Sequence, residues 1–296
     1  MKAKGLPARS TSAIRLGGLL LVCLLPLSCD TGTFDPFDNG ERYFTLFGYL
    51  DERESEHTLR VIPLSRFPAE ITDPSEPQAS IDGVVTSTDV RTGVVTRWNH
   101  RLDRLDDGNY GHVFRGRFQV RPGRTYRVEI TRNDGKVTAA ETTIPRFPVT
   151  VPDPDTLFFP YEVSPDSALT QEVHLPGIVS PWEIYLDYDL QGTWVRVPYG
   201  RSGSRTEDGW KITVELNRDA VKMREVLGIP PGGRLPLLHA ISISVRALDD
   251  SWDPPAGEFD PEVLAQPGVL SNVELGYGFW GGIGSYIYTW RAPGLN

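Results

Sequence analysis

Turn-forming residues recur about every ten positions from Tyr43 onward, and strand-length runs of alternating apolar and polar residues lie between them. Between Arg124 and Thr131, tyrosine, valine and isoleucine alternate with charged residues, so one face of that segment is predicted to be buried. The following Asn133-Asp134-Gly135 supplies residues that tolerate the positive φ of a tight hairpin. This rhythm is typical of β-sandwiches and predicts an all-β fold.

Two β-sandwich-like domains are predicted, with a stiff Pro-rich junction between them at Pro145–Pro154. The first, residues 43–147, is predicted to be immunoglobulin-like or transthyretin-like. The second, residues 148–296, is predicted to be β-rich with one or two short helices, over Arg218–Leu227 and from Asp260. The strands predicted in the first domain are Tyr43–Leu50, His57–Leu64, Ala79–Thr88, Val94–Leu102, Tyr110–Gln119, Arg124–Thr131 and Lys136–Ile144.

The first thirty residues have the composition of a targeting signal. A basic segment precedes the apolar stretch Leu16–Leu27, which is shorter than the ~20 residues that a membrane-spanning helix needs. The segment Leu25-Pro26-Leu27-Ser28-Cys29 resembles a bacterial lipobox, with Pro26 where leucine is usual. We predict that residues 1–28 are a lipoprotein signal peptide, that acyl chains attach to Cys29, and that residues 29–42 are a polar tether. An ordinary secretory peptide cleaved elsewhere is the alternative.

Removal of the signal peptide changes the charge and the cysteine content. The segment carries four basic residues and no acidic one, so the net charge falls from −9 to −13. Such a surface repels nucleic acid, which excludes a nucleic-acid partner. Cys23 leaves with the segment, so Cys29 has no cysteine in the same chain with which to form a disulfide. Stability must therefore come from burial of a core.

The segment Gly276–Gly281 matches the G-x-G-x-x-G pattern of dinucleotide-binding loops. That reading needs a helix directly afterwards and an acidic residue about 20 positions further on. Here a β-like run follows, and only 15 residues remain after Gly281. The match is interpreted as coincidental, and no cofactor is predicted.

Metal ligands do not cluster in the sequence. The five histidines are far apart, and no H-E-x-x-H motif is present, so no metal site is predicted; a zinc site assembled across strands stays open. One acidic loop is a weak calcium candidate, because calcium binds six to eight oxygen atoms. A solvated loop is the favoured interpretation. The candidate calcium ligands are Asp249, Asp250, Asp253 and Glu258.

A polar loop in the second domain is the candidate ligand-binding surface. The segment Gly200–Ser204 is similar to a nucleophile elbow, but it has serine where the last glycine belongs, so a hairpin loop is predicted instead. Aromatic and arginine side chains near this loop could stack on and hydrogen-bond a ligand such as a glycan. Burial in the core is the alternative for each aromatic residue. The candidate ligand contacts are Tyr199, Arg201, Arg205, Trp210 and Trp252.

The whole pattern resembles the uncharacterised outer-membrane lipoproteins of Bacteroidetes-type bacteria that share a domain of unknown function. The motifs behind this resemblance, besides the lipobox, are Gly48-Tyr49-Leu50, Pro122-Gly123-Arg124-Thr125-Tyr126, Thr142-Thr143-Ile144-Pro145, Ser271-Asn272-Val273 and Gly276–Gly281. The resemblance implies an outer-membrane location, often beside TonB-dependent receptors, and no established chemistry. Cys29 is the one residue to which it assigns a role.

These observations together predict a lipid-anchored protein of the cell envelope that acts as a non-enzymatic binding or accessory module, in contact with the membrane through its acyl chains. An outer-membrane receptor or a glycan is the expected partner. Two alternatives stay open. One is a hydrolase of glycans or peptides whose carboxylates come from distant strands, which would place two carboxylates about 5 to 9 Å apart in an aromatic cleft. The other is a purely structural envelope protein.

Overall fold

Alternating sequence patterns form strands throughout the residues that the computed structural model describes, namely 41–64, 70–155, 157, 169–249 and 271–291. These residues contain sixteen strands and one α-helix, which confirms the predicted all-β fold. In Glu183–Leu190, for example, every second side chain is buried, as a strand with one covered face requires. The predicted signal peptide and Cys29 lie outside the described residues.

Strands from the first half of the described chain enclose one core. Their bounds are β1 Phe44–Asp51, β2 Glu56–Pro63, β3 Val84–Asp89, β4 Val95–Arg97, β5 Asn99–Arg104, β6 Tyr110–Arg117, β7 Thr125–Thr131 and β8 Val137–Thr143. In one sheet the order is β1-β2-β6-β5, and in the other it is β8-β7-β3-β4. Buried side chains from both sheets form a single cluster, and its largest fully buried members are Trp280, Phe114, Leu46, Leu50 and Leu59.

The chain changes sheets at Trp98. The single strand predicted over Val94–Leu102 is wrong, because β4 pairs with β3 whereas β5 pairs with β6. The Trp98 side chain is buried between the sheets, and its indole Nε1 donates a hydrogen bond to Ser87 Oγ at 3.0 Å. Its backbone N donates to the Val85 carbonyl oxygen, also at 3.0 Å. A large buried aromatic therefore stands where the chain crosses the core.

The second half forms another core under the same large sheet. Its elements are β9 Thr170–Pro176, β10 Glu183–Leu190, β11 Thr193–Gly200, β12 Ser204–Arg205, β13 Gly209–Glu215, α1 Leu216–Leu227, β14 Leu238–Leu248, β15 Val273–Glu274 and β16 Gly276–Arg291. The order β11-β10-β14-β16 continues into β1, so the large sheet has eight strands. A small sheet, β12-β13-β9, and α1 contribute to the same core.

Strand β16 joins the two halves of the large sheet. Its first residues, Gly276 to Ile283, pair in parallel with β1, and Ile283 to Arg291 pair antiparallel with β14. This confirms that the chain after the G-x-G-x-x-G match is a strand. The close approach of β1 explains why glycines occupy these positions. A Cβ on Gly276 would lie 2.6 Å from the Phe44 carbonyl oxygen, and one on Gly278 would overlap the Leu46 carbonyl oxygen. Gly278 also has a φ of 88°.

Helix α1 ends as predicted but begins earlier. Gly228 follows its last residue in the left-handed conformation, and its N–H bonds back to the carbonyl oxygens of Arg224 and Glu225. The sequence predicts a start at Arg218, but α1 begins at Leu216, and Glu215 occupies the N-cap position without a side-chain cap. The helix starts earlier because Leu216 belongs to the buried core and continues directly from β13.

The predicted boundary at residue 147 stays a prediction. Two separate core clusters lie mostly on either side of it. The eight-stranded sheet nevertheless crosses it, and the described residues on both sides of it belong to one compact unit. Over the described ranges, none of the helical segments has the length and apolar character of a membrane span.

Candidate ligand-binding cleft

The described candidate ligand contacts of the second domain lie in different environments. Tyr199 is buried and points into the core. Arg201 and Arg205 are exposed, and Trp210 is partly buried, with its Nε1 donating to the Ser202 carbonyl oxygen at 3.1 Å. The structure therefore does not bring Tyr199 to the surface beside the two arginines. Trp252 lies outside the described residues.

Asp249 is the one calcium candidate that the structure describes, since Asp250, Asp253 and Glu258 lie outside the described residues. Asp249 is buried, and its Oδ2 accepts hydrogen bonds from Thr142 Oγ1 at 2.7 Å and from the Thr143 backbone N at 2.8 Å. These contacts tie the end of β14 to β8. Within the described ranges, no three or more His, Cys, Asp or Glu side chains are grouped to hold one metal ion.

Sequence reasoning missed a buried polar cluster around Asp219, in the first turn of α1. Its Oδ2 accepts hydrogen bonds from Tyr188 Oη on β10 at 2.5 Å and from Tyr199 Oη on β11 at 2.7 Å. The backbone N of Glu215 donates to Tyr199 Oη at 3.0 Å. The Arg218 guanidinium donates to Oδ1 at 3.3 Å and stacks 4.2 Å over the Tyr199 ring. We interpret the cluster as the tie that holds α1 on the large sheet.

Burial dominates the titration of this cluster. Desolvation raises the pKa of Asp219, although the hydrogen bonds from Tyr188, Tyr199 and Arg218 lower it in part. Desolvation and the neighbouring carboxylate raise the pKa of both tyrosines as well. The hydroxyl groups therefore stay protonated and serve as hydrogen-bond donors to Asp219.

The larger of two described clefts lies at the edge of the first core, beside β2 and β6; we name it the β2–β6 cleft. Its volume is about 470 Å³. Its apolar wall is formed by Ile62, Ile71 and Leu105. Its charged lining residues include Arg60 and Glu70. The remaining lining residues are Val61, Pro63, Gln78, Ser80, Asp107, Asn109, Tyr110, Gly111 and His112.

A short loop closes one side of this cleft, and hydrogen bonds to the carboxylates of Glu76 and Asp73 order it. Glu76 Oε1 accepts hydrogen bonds from Thr72 Oγ1 at 2.5 Å and from the Asp73 backbone N at 2.8 Å. The 3-10 turn Pro77–Ala79 follows, with proline at its start. This turn places the Gln78 carbonyl oxygen against His112.

The opposite side of the cleft is the hairpin turn between β5 and β6. The Tyr110 backbone N donates to the Ile71 carbonyl oxygen at 2.8 Å, which joins the turn to the loop. Asp107 Oδ1 accepts from the Asn109 backbone N at 2.9 Å, and Gly108 has a φ of 89°. Both walls are therefore held by local hydrogen bonds.

Two histidines form a hydrogen-bonded pair at this cleft, and one of them, His112, lines it. His112 is buried, and its Nε2 lies 3.0 Å from the Gln78 carbonyl oxygen, which can only accept; Nε2 therefore carries the proton. His112 Nδ1 lies 3.0 Å from His100 Nε2, so Nδ1 accepts and His100 donates. Burial lowers the pKa of both rings, and the charge of His100 lowers that of His112 further. Both imidazoles are therefore favoured in the neutral form.

The smaller cleft, about 310 Å³, lies on the β3–β4 side of the first core. Two of its charged lining residues neutralise each other, because Arg124 Nη1 contacts Asp89 Oδ2 at 2.5 Å. The hydroxyl of Tyr126 accepts from the Arg121 backbone N at 3.0 Å. The β2–β6 cleft is the larger and has more apolar wall, which makes it the better ligand site.

The histidine pair was missed because the two residues are twelve positions apart. A usable signal exists, since Asp106-Asp107-Gly108-Asn109 has the residue types of a tight turn between two predicted strands, which makes a hairpin. Pairing outward from that turn sets Leu102 opposite His112 and His100 opposite Phe114, which brings the histidines to neighbouring positions on one face.

Comparisons with known proteins add no family assignment. No family model matches the chain. No curated protein matches it either. Two solved structures of pullulanase from Anoxybacillus sp. LM18-11, one of them complexed with maltotriose, align with 12% identity and a TM-score of 0.21. Each alignment covers 68% of this chain and 24% of the pullulanase chain. This chain thus spans about a quarter of those chains, and such a low TM-score carries no argument about its fold or function.

Proposed function

We propose that this chain is a non-enzymatic binding module that holds a small amphipathic molecule in the β2–β6 cleft. The observation that carries the proposal is the cleft itself, a walled space of about 470 Å³ with apolar sides and charged groups at its lining. Small-molecule sites have volumes of about 300 to 1,000 Å³ with few polar groups among apolar walls. The charged lining residues are Arg60, Glu70 and Asp107, so a neutral or cationic ligand fits better than an anion.

The hydrogen bonds in this cleft favour binding over acid–base chemistry. Both ring nitrogens of His112 have hydrogen-bond partners, so no lone pair is left to take a proton from a substrate. Asp107 uses Oδ1 on the Asn109 backbone N and Oδ2 on the Asn109 amide, at 2.9 and 3.4 Å. A group that holds the wall in place is poorly suited to change its protonation during a reaction.

Blocking the cleft is expected to weaken binding. Ile62 is a partly exposed wall residue, so Ile62→Arg should fold and place a long charged side chain in the cleft. The matched control is Val95→Arg, an exposed valine on β4 that does not line the cleft. We expect saturation-transfer NMR with short oligosaccharides, dipeptides and aromatic amines to show a binder for the native protein. Its affinity should fall at least about tenfold in Ile62→Arg, which is ~1.4 kcal/mol, and stay unchanged in Val95→Arg. Equal loss in both variants would contradict the proposal.

We also propose that an acylated Cys29 anchors this module in the cell outer membrane. The support is the Leu25–Cys29 lipobox-like segment and the acidic chain that follows it. Mass spectrometry of the mature N-terminal peptide is expected to show cleavage before Cys29 and the added mass of acyl chains. Cys29→Ala should lose that mass and leave the membrane fraction. An unmodified N-terminus in the native protein would overturn the anchor without bearing on the cleft.

A further inference from the structure

Arg60 differs from the other arginines on its face of the large sheet. The register of β2 with β6 places Arg60, Arg115 and Arg117 on one face. The Arg115 guanidinium contacts Asp103 at 2.7 Å, and that of Arg117 contacts Glu56 at 2.6 Å. For Arg60, no carboxylate of the described residues pairs with the guanidinium, and its buried Nε has no hydrogen-bond partner. Because buried polar groups normally have a partner, the missing acceptor must come from solvent or from a ligand.

An acidic side chain lines the same cleft and has no cationic partner either. Glu70 is exposed, and within the described ranges no arginine, lysine or histidine side chain pairs with it. In particular, Arg60 and Glu70 do not pair with each other, although both line the cleft. Asp107 is different, because both of its carboxylate oxygens accept hydrogen bonds from Asn109. The cleft therefore presents one positive and one negative group at separate positions.

Apolar surface lies beside these two charges. Ile62 is two residues after Arg60 on β2, so both side chains lie on one face of the strand. Leu105 lies over Gly111, since a Cβ on this glycine would be 3.2 Å from both methyl carbons of the leucine. The buried Ile71 belongs to the loop that closes the cleft. A ligand that contacts all of these groups carries two opposite charges and an apolar part.

We propose that the β2–β6 cleft binds a zwitterion with an apolar side chain, namely a free amino acid or a short peptide with free termini. This inference rests on the proposed binding function of the cleft and names its ligand class. The ligand carboxylate contacts the Arg60 guanidinium, whose planar donors match the two oxygens of a carboxylate. The ligand ammonium group contacts Glu70, and its apolar side chain packs against Ile62 and Leu105. The net charge of such a ligand is zero, in keeping with a cleft that holds both signs.

The first test changes the ligand and keeps the native protein. Leucine and leucyl-leucine are the probes, because both carry the two charges and they differ in the distance between them. We expect at least one of them to bind and to shift the ¹³C methyl signals of Ile62 and Ile71. Acetylation of its amino group, or amidation of its carboxyl group, removes one charge and should weaken binding at least about tenfold. The probe that binds more tightly tells whether the cleft takes an amino acid or a peptide.

The second test removes the charges from the protein. Arg60→Gln should weaken the binding of the zwitterion at least about tenfold and leave the weak binding of the amidated probe unchanged. Glu70→Gln should do the same to the zwitterion and leave the acetylated probe unchanged; Glu70 is exposed, so this variant is expected to fold. The matched controls are Arg117→Gln and Glu54→Gln, at exposed positions that do not line the cleft, and both should bind the zwitterion as the native protein does.

Three results would overturn the zwitterion as the ligand. One is equal affinity of the native protein for a zwitterionic probe and its blocked forms. Another is native affinity in either Arg60→Gln or Glu70→Gln. The third is a cleft that binds a neutral glycan or an aromatic amine but neither leucine nor leucyl-leucine. The binding function would stand in all three cases, whereas a native protein that binds no compound in the cleft would overturn both proposals.

Discussion

Asp219→Ala is expected to lower the free energy of unfolding by several kcal/mol, because two buried hydroxyl groups lose the carboxylate that accepts from them, at a cost of about 1–3 kcal/mol each. The substitution leaves the hydroxyls of Tyr188 and Tyr199 in the core without their acceptor. It also removes the Oδ1 atom to which the Arg218 guanidinium donates. Urea unfolding followed by tryptophan fluorescence measures the change.

The matched control for Asp219→Ala is Lys222→Ala on the exposed face of the same helix. Lys222 Nζ contacts Glu225 Oε2 at 2.9 Å, and both side chains are largely in solvent, so less than about 0.5 kcal/mol should be lost. Equal effects in the two variants would contradict the role given to Asp219.

The difference in stability between the native protein and Asp219→Asn is expected to depend on pH, and its direction follows from the pKa of Asp219. Burial raises the pKa of Asp219 in the folded state above its unfolded value, near 3.8. The folded protein therefore binds more protons between those two values, and stability falls as pH rises through this window. Asp219→Asn cannot titrate there. We expect the native protein to lose stability relative to Asp219→Asn from about pH 4 upward, until the raised pKa is passed.

Gly278→Ala is expected to lower the free energy of unfolding by several kcal/mol. Two effects contribute, and a control substitution at a second glycine can separate them. A Cβ at this position would overlap the Leu46 carbonyl oxygen and push β16 away from β1. The positive φ of 88° adds about 1–2 kcal/mol for alanine. Gly192 has nearly the same φ, 89°, with open space around its Cβ position. Gly192→Ala should therefore show the conformational cost alone.

The difference between the two glycine variants measures the close approach of the strands. We expect Gly278→Ala to lose at least about 2 kcal/mol more than Gly192→Ala in urea unfolding, consistent with overpacking of a tight contact. If both variants lose the same amount, the parallel pairing of β1 with β16 is not as tight as the structure shows.

The local part of the fold could be predicted, because short-range chemistry determines it. The turns at Asp106–Asn109 and Asn133–Gly135 join β5 to β6 and β7 to β8, and Gly228 ends α1, all as their residue types indicate. The pairing of β1 with β16 could not be predicted in the same way. Phe44 and Gly276 are far apart in sequence, and neither carries a signal that names the other.

The buried cluster around Asp219 is a part of the structure that could not be predicted from the sequence pattern alone. Asp219 has the charge of a surface residue, and an isolated charged side chain is assigned to solvent by default. Its position argues otherwise, because it lies three residues after Leu216 and four before Met223, both buried on the same helix face. The histidine pair was lost for a similar reason. The proximity of His100 and His112 can be predicted only once the register of β5 and β6 is known.

The most direct test of the central claim is to locate the bound compound and to follow its chemical state. With isoleucine methyl groups labelled with ¹³C, Ile62 and Ile71 report on the β2–β6 cleft, and the exposed Ile287 on β16 reports on a distant surface. We predict that a compound found by screening shifts the methyl signals of Ile62 and Ile71, leaves that of Ile287 in place, and stays chemically unchanged for hours. Shifts confined to Ile287, or conversion of the compound to a product, would contradict a non-enzymatic binding cleft.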